Sequence, residues 1–122
     1  MDVGEVFVDR VQGVWVFTLV GEHDISIQPS LQQRLERTFD AGSNVIVDLS
    51  QIEFMDSSVL LGLAYGSQRV AEAPEHTLAI VAPADGIARR LLTLTGIDKD
   101  VPVWGTRTEA LAHVRPPTDP CR

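Results

Sequence analysis

The stretch from Asn44 to Arg69, NVIVDLSQIEFMDSSVLLGLAYGSQR, constrains this chain most. Val45, Ile46 and Val47 form a continuous β-branched run, the pattern of a strand buried on both faces. The strand is read to about Leu49 and is followed by a short connection. A helix from Ser57 to Val70 opens at Asp56-Ser57-Ser58 and carries Leu60, Leu61, Leu63, Ala64 and Val70, with Pro74 as its stop. A strand delivering a helix in this way is half of a βαβ unit. It points to a parallel sheet covered by helices.

The flanking segments supply the rest of that sheet. Glu5 to Val11 alternates, with Val6, Val8 and Val11 set against Glu5, Phe7 and Asp9. Gln12-Gly13 is a turn signal, and Val14 to Val20 (VWVFTLV) is a second strand, so the two form a hairpin with the first strand nearer an edge. Gly21-Glu22-His23-Asp24 breaks the second strand. Pro29 then sits in the first turn of a helix, where a missing N–H is harmless. Leu31, Leu35 and Phe39 give that helix an apolar stripe opposite Gln32, Gln33, Glu36 and Arg37, and Ala41-Gly42-Ser43 ends it.

Downstream, Thr77 to Val81 is a short strand stopped by Pro83. Asp85 to Thr95 reads as a helix with Ile87, Leu91 and Leu94 inward and Arg89-Arg90 as a solvated face. Gly96 is its C-terminal stop. Val101 to Trp104 is a last strand whose Pro102 places it at an edge or a strand start. Thr106 and Glu109 make a capping-box pattern for a final helix over Glu109–Val114. The order β-β-α-β-α-β-α-β-α describes an α/β domain with a small mixed, mostly parallel sheet over residues 1–115. Residues 116–122, with three prolines, are expected to be a disordered tail.

Composition narrows the function classes. At 122 residues and 44% hydrophobic the chain suits one folded domain. A net charge of −7 argues against a nucleic-acid partner, which needs a basic face, and favours a protein with a basic rim. Cys121 is the only cysteine, so neither an internal disulfide nor a cysteine-based metal site is expected. MDVGEVFVDR has early acidic residues and no apolar h-region, so no signal peptide is expected. With no run long enough to span a bilayer, the expected location is cytoplasmic and the expected partners include no membrane.

The chemistry-bearing residues cluster at the helix start. Asp56 or Ser57 can cap the orphan N–H groups there. A hydroxyl at the same place can accept a phosphate, which the helix start then favours. Ser58 is the leading phosphorylation candidate and Ser57 the second; one serine can cap while its neighbour is modified. The loop with Glu22 and Asp24 should lie on the same sheet edge. Asp24 there either orients the hydroxyl or repels the phosphate, or it simply starts the next helix or closes a turn. Asp48 raises a receiver-type phospho-aspartate, but Lys99, the only lysine, precedes a strand and that constellation is not met. His23, His76 and His113 are scattered, and Phe54 and Met55 read as packing residues, so no metal site is expected. No G-x-S-x-G elbow, Walker A or G-x-G-x-x-G loop is present, and an enzyme is not expected.

F-M-D-S-S after V-I-V-D-L-S, preceded by G-E-x-D after the second strand, resembles the STAS domain of anti-sigma factor antagonists. The resemblance covers about Val3 to Val114. It implies a small mixed sheet with helices mainly on one face. It also implies that Ser58 is phosphorylated by an anti-sigma factor with serine kinase activity and reset by a PP2C-type phosphatase. Glu22, His23, Asp24, Met55, Asp56, Ser57 and Val59 would then form the partner surface. The resemblance further implies that the unmodified protein binds the anti-sigma factor and frees a sigma factor, and that phosphorylation releases it. The kinase brings its own ATP and Mg²⁺, so no cofactor belongs to this chain, and homodimer formation stays open. The family usually has glycine after D-S-S, where Val59 stands here, and an aliphatic residue at His23. The alternative is a STAS scaffold or sensor that is never phosphorylated and binds a small ligand, a nucleotide or a protein.

Overall fold

In the computed structural model, residues 5–23, 33–34, 36–38, 44–55, 57–72 and 77–114 are described, residues 5, 22–23, 54–55, 57–58 and 69–70 by their backbone. Several expectations lie outside these residues: the Pro29-led apolar stripe of Leu31, Leu35 and Phe39, the stop at Ala41-Gly42-Ser43, Pro74, and the tail. At the Gln12-Gly13 turn both residues take positive φ, 53° and 82°. Val11 pairs with Val14 across it, so β1 (Glu5–Val11) and β2 (Val14–His23) form a two-residue hairpin with the twist that favours such turns.

β3 (Val45–Met55), β4 (Leu78–Val81) and β5 (Val103–Trp104) continue the sheet in the order β1-β2-β3-β4-β5. β1 runs antiparallel to β2, and every later neighbour is parallel. Between β3 and β4 lies α1 (Ser57–Glu72), and between β4 and β5 lie α2 (Ile87–Thr95) and α3 (Ile97–Asp100). Right-handed crossovers between sequential parallel strands put their helices on one side. Accordingly Val59, Leu63, Ala88, Leu92 and Ile97 pack on Phe17, Leu19, Val45, Val47, Leu49 and Ile80. The last helix, α4 (Arg107–Val114), is no crossover and is free to take the other face, where Ala110 and Val114 cover Val14, Val16, Ile46, Ala79 and Val81. Residues 33–34 and 36–38 are helical. None of the described helices is long and apolar enough to cross a membrane.

Six details differ from the sequence reading. β3 runs to Met55, not Leu49, and β2 continues through Gly21 to His23. Val11 packs with the second core, on the face opposite Val6 and Val8, as strict alternation requires. α3 is an unexpected single turn, started by Gly96 at φ 82°, which also ends α2 as expected. In α2 the buried side chains are Ala88 and Leu92, while Ile87 and Leu94 are 48% and 74% exposed. The helix has more apolar residues than one buried stripe can hold, and the small Ala88 sits against the sheet. Arg89 is not a solvated residue; its Nη2 donates to the Ala82 carbonyl at 2.6 Å, whereas Arg90 is exposed.

The longer β3 depends on two extra residues. Thr18 pairs with Asp48 but Val20 with Gln51; Gly21 pairs with Ile52 but Glu22 with Phe54. Each shift is a bulge in β3, and the first changes the phase of the strand so that Ile52 joins the same core as Leu49. Asp48, buried, holds that bulge. Its Oδ1 accepts from the Ser50 N–H (2.9 Å) and hydroxyl (2.6 Å). Its Oδ2 accepts from Arg107 Nε (3.1 Å) and Nη2 (2.9 Å), and that Nη2 also donates to Thr18 Oγ1 (2.6 Å). The capping box holds α4 in place for this contact: Thr106 Oγ1 accepts from the Glu109 N–H and donates to Glu109 Oε1.

Two consequences are measurable. Arg107→Ala leaves the buried Asp48 oxygen without its charged donors; because the Arg107 side chain is 37% exposed and partly screened, the loss is about 1–3 kcal/mol. Urea unfolding should show a lower midpoint at constant slope, and an unchanged midpoint contradicts the assignment. Gly21 has φ 87° inside a strand, so Gly21→Ala costs about 1–2 kcal/mol by the same assay, while an alanine tolerated there without loss would remove the strain argument.

Candidate functional site

The second bulge decides which residues meet at the sheet edge. Beyond it, Glu22 pairs with Phe54 and His23 with Met55. α1 begins at Ser57, two residues after Met55. The expected site positions Glu22, His23, Met55, Ser57 and Ser58 thus come together through backbone pairing and chain continuity. Asp24 and Asp56 lie outside the described residues.

The first turn of α1, Ser57-Ser58-Val59-Leu60, contains no acidic residue. The N–H groups and positive end of a helix start favour an anion, and Asp56 directly precedes this turn in sequence. An added anionic group is electrostatically welcome there. α2 starts at Ile87 on the same sheet edge, because both helices follow parallel strands.

Val59 differs from its expected role. It is 2% exposed and packs in the core with Leu63, one turn on. Its side chain is therefore no part of a surface, and only its backbone is available to a partner. Inward packing of this stripe, with Gly62 and Gly66 also buried, turns the opposite side of α1 outward. Leu61 lies on that side and is 61% exposed. Position 61 is three residues from 58, so the two are neighbours on the helix surface. The sequence reading named Leu61 among the apolar residues of this helix without giving it a side; the available signal was a helix with more leucines than its buried stripe needs. Ile87 and Leu61 thus add exposed apolar area on the edge that carries Ser58.

Asp48 is engaged by Arg107, Ser50 and, through Arg107, Thr18, which makes it a structural carboxylate. His113 is exposed, and its ring lies tilted at 45° against Trp104 with centroids 5.2 Å apart. Among the described residues no group of three His, Cys, Asp or Glu side chains could hold a metal ion.

Comparison with known proteins bears on this geometry. The chain is 31% identical over 104 residues to the anti-sigma-F factor antagonist RsfB of Mycobacterium tuberculosis strain H37Rv, covering 84% of this chain and 83% of that protein. A crystal structure of an anti-sigma factor antagonist from Mycobacterium paratuberculosis superposes with a TM-score of 0.81 at 31% identity, covering 93% of this chain and 95% of that one. SpoIIAA, the Bacillus cell fate determinant in its phosphorylated form, shares the fold with a TM-score of 0.69 at 19% identity, over 91% of this chain and 100% of that one. The sequence matches the STAS domain over residues 6–110. With that span matched and this sheet in place, the chain belongs to the STAS domain family.

Proposed function

We propose that this protein is an anti-sigma factor antagonist whose binding is switched by phosphorylation of Ser58. It acts as a binding module and not as an enzyme. Its unmodified form binds an anti-sigma factor with serine kinase activity and so releases a sigma factor. A PP2C-type phosphatase restores the bound state, and the cycle runs in the cytoplasm. The observation that carries this reading is the pairing of Glu22-His23 with Phe54-Met55 immediately before a helix whose first turn bears two serines and no acidic residue. The 31% identity to named antagonists over most of both chains supports the same reading.

The energetics favour a switch at an interface. A phosphate at a helix start gains about 0.3–1 kcal/mol from the dipole, so the domain tolerates it. A partner seated on Leu61, Ile87 and the α1 start would instead have to bury a dianion. Moving such a complex from nearly all bound to nearly all free needs about 5.5 kcal/mol of differential affinity. Burying an unpaired charge is of that order.

The test is capture by the cognate anti-sigma factor. Wild type and Ser58→Ala should bind alike, and Ser58→Glu about a hundredfold more weakly or worse. Intact mass after incubation with that factor and ATP should show one added phosphate, absent in Ser58→Ala. Equal binding by all three forms removes Ser58 as the switch. Binding with no added phosphate would instead support an unphosphorylated scaffold. Leu61→Asp should weaken capture of the unmodified protein while leaving the thermal midpoint within a few degrees, since this side chain is mostly outside the core.

A further inference from the structure

At the far end of β2 the hairpin and the helical residues 33–34 and 36–38 flank an open recess of about 230 Å³. Val8, Trp15 and Phe17 line it from the sheet, and Arg34, Arg37 and Thr38 from the helical segment. We propose that this recess binds a small amphipathic anion, a single-ring or short alkyl body carrying a carboxylate or phosphate.

The apolar half follows from the register. Val8 pairs with Phe17, and Arg10 with Trp15, so all four side chains stand on one face of the hairpin. A cavity of about 150 Å³ holds a benzene ring, and drug-sized ligands need about 300 Å³ or more. The recess falls between these sizes, enough for one ring and its charged head.

The charged half is unusual for this chain. Its net charge is −7 with only 10 lysines and arginines, yet two arginines line this recess and a third lies over one of its lining rings. Arg34 and Arg37, three apart, occupy neighbouring positions on the helical segment and both line the recess. Arg10 lies over the Trp15 ring, 5.1 Å from its centroid. Among the described residues none of the three is ion-paired with a carboxylate. Asp9 alternates to the opposite face of β1, and Glu36, between the two arginines in sequence, does not line the recess. The Thr38 hydroxyl is occupied by the Arg34 carbonyl at 2.8 Å, so the guanidinium groups are the anion donors. Trp15 and His23 are eight residues apart on β2, about 26 Å at strand rise. The site is therefore separate from the Ser58 edge and does not depend on the switch.

Fluorine NMR of 4-fluorobenzoate and 4-fluorophenyl phosphate tests this, with neutral 4-fluorobenzamide as the control. At least one anion should bind saturably at millimolar concentration or below, and in proton–nitrogen spectra of the labelled protein it should shift the Trp15 indole N–H resonance but not that of Trp104. Arg34→Gln/Arg37→Gln should weaken it about tenfold or more, with an unchanged thermal midpoint because both side chains are exposed. Val8→Phe, which fills the apolar half, should abolish binding while both arginines remain. Three results overturn the proposal: no binding of either anion, equal affinity for the neutral amide, or undiminished affinity in the double variant.

Discussion

The buried carboxylate of Asp48 is the contact on which the arrangement of the molecule turns. A charge taken out of water is tolerated only when its lone pairs are used. Here one oxygen takes two bonds from Ser50 and the other takes two from Arg107. The Ser50 pair closes the backbone around an extra residue, and the Arg107 pair fastens the last helix to the sheet. One side chain therefore sets both the phase of β3 beyond its midpoint and the docking of α4. Apolar packing alone specifies neither so sharply, because a slip of one residue would exchange Gln51 for Ile52 at the core.

The bulges also determine what the sheet edge can carry. A strand ending at Leu49 would leave a flexible connection before α1. Extended pairing to His23–Met55 replaces that connection with hydrogen-bonded backbone. The start of α1 is then held from both sides, by β3 before it and by Val59 and Leu63 beneath it. A helix start fixed in this way presents its N–H groups in a constant direction, which a phosphate or a docked protein can both use.

Much of this was legible in the residues, because periodicity and turn chemistry are local. The hairpin at Gln12-Gly13, the Gly96 stop and the Thr106–Glu109 box all hold in the structure. What escaped were features set by partners distant in sequence. Ser50 and Gln51 look like loop residues until β2 is laid beside them. Gly21 reads as a breaker, yet its positive φ lets β2 follow the second bulge. Arg107, 59 residues from Asp48, gives no local sign of its contact. The inward and outward sides of α1 and α2 were hard to assign for a different reason: α1 is apolar around much of its circumference, and α2 has more apolar residues than its buried stripe holds. Only the sheet decides that Val59 and Ala88 face in and that Leu61 and Leu94 face out.

The two proposed sites lie at opposite ends of β2, on one frame. At one end the core side chains of α1 point inward beneath the first turn, so a change of charge on its surface need not disturb packing. This separation is what lets the proposed switch act on association without acting on the fold. At the other end the hairpin face is only partly covered, and Val8 and Trp15 remain half-buried beside exposed arginines. Between them lies a continuous core running from Val45 through Leu49 to Ile52. Close-packed interiors of this kind transmit displacement poorly unless they have two arrangements. Nothing in the β2–β3 pairing offers a second register at comparable energy, since the Asp48 bonds would be lost in it. The two ends should therefore act independently, with an anion held at Trp15 leaving the electrostatics of the α1 start unaltered.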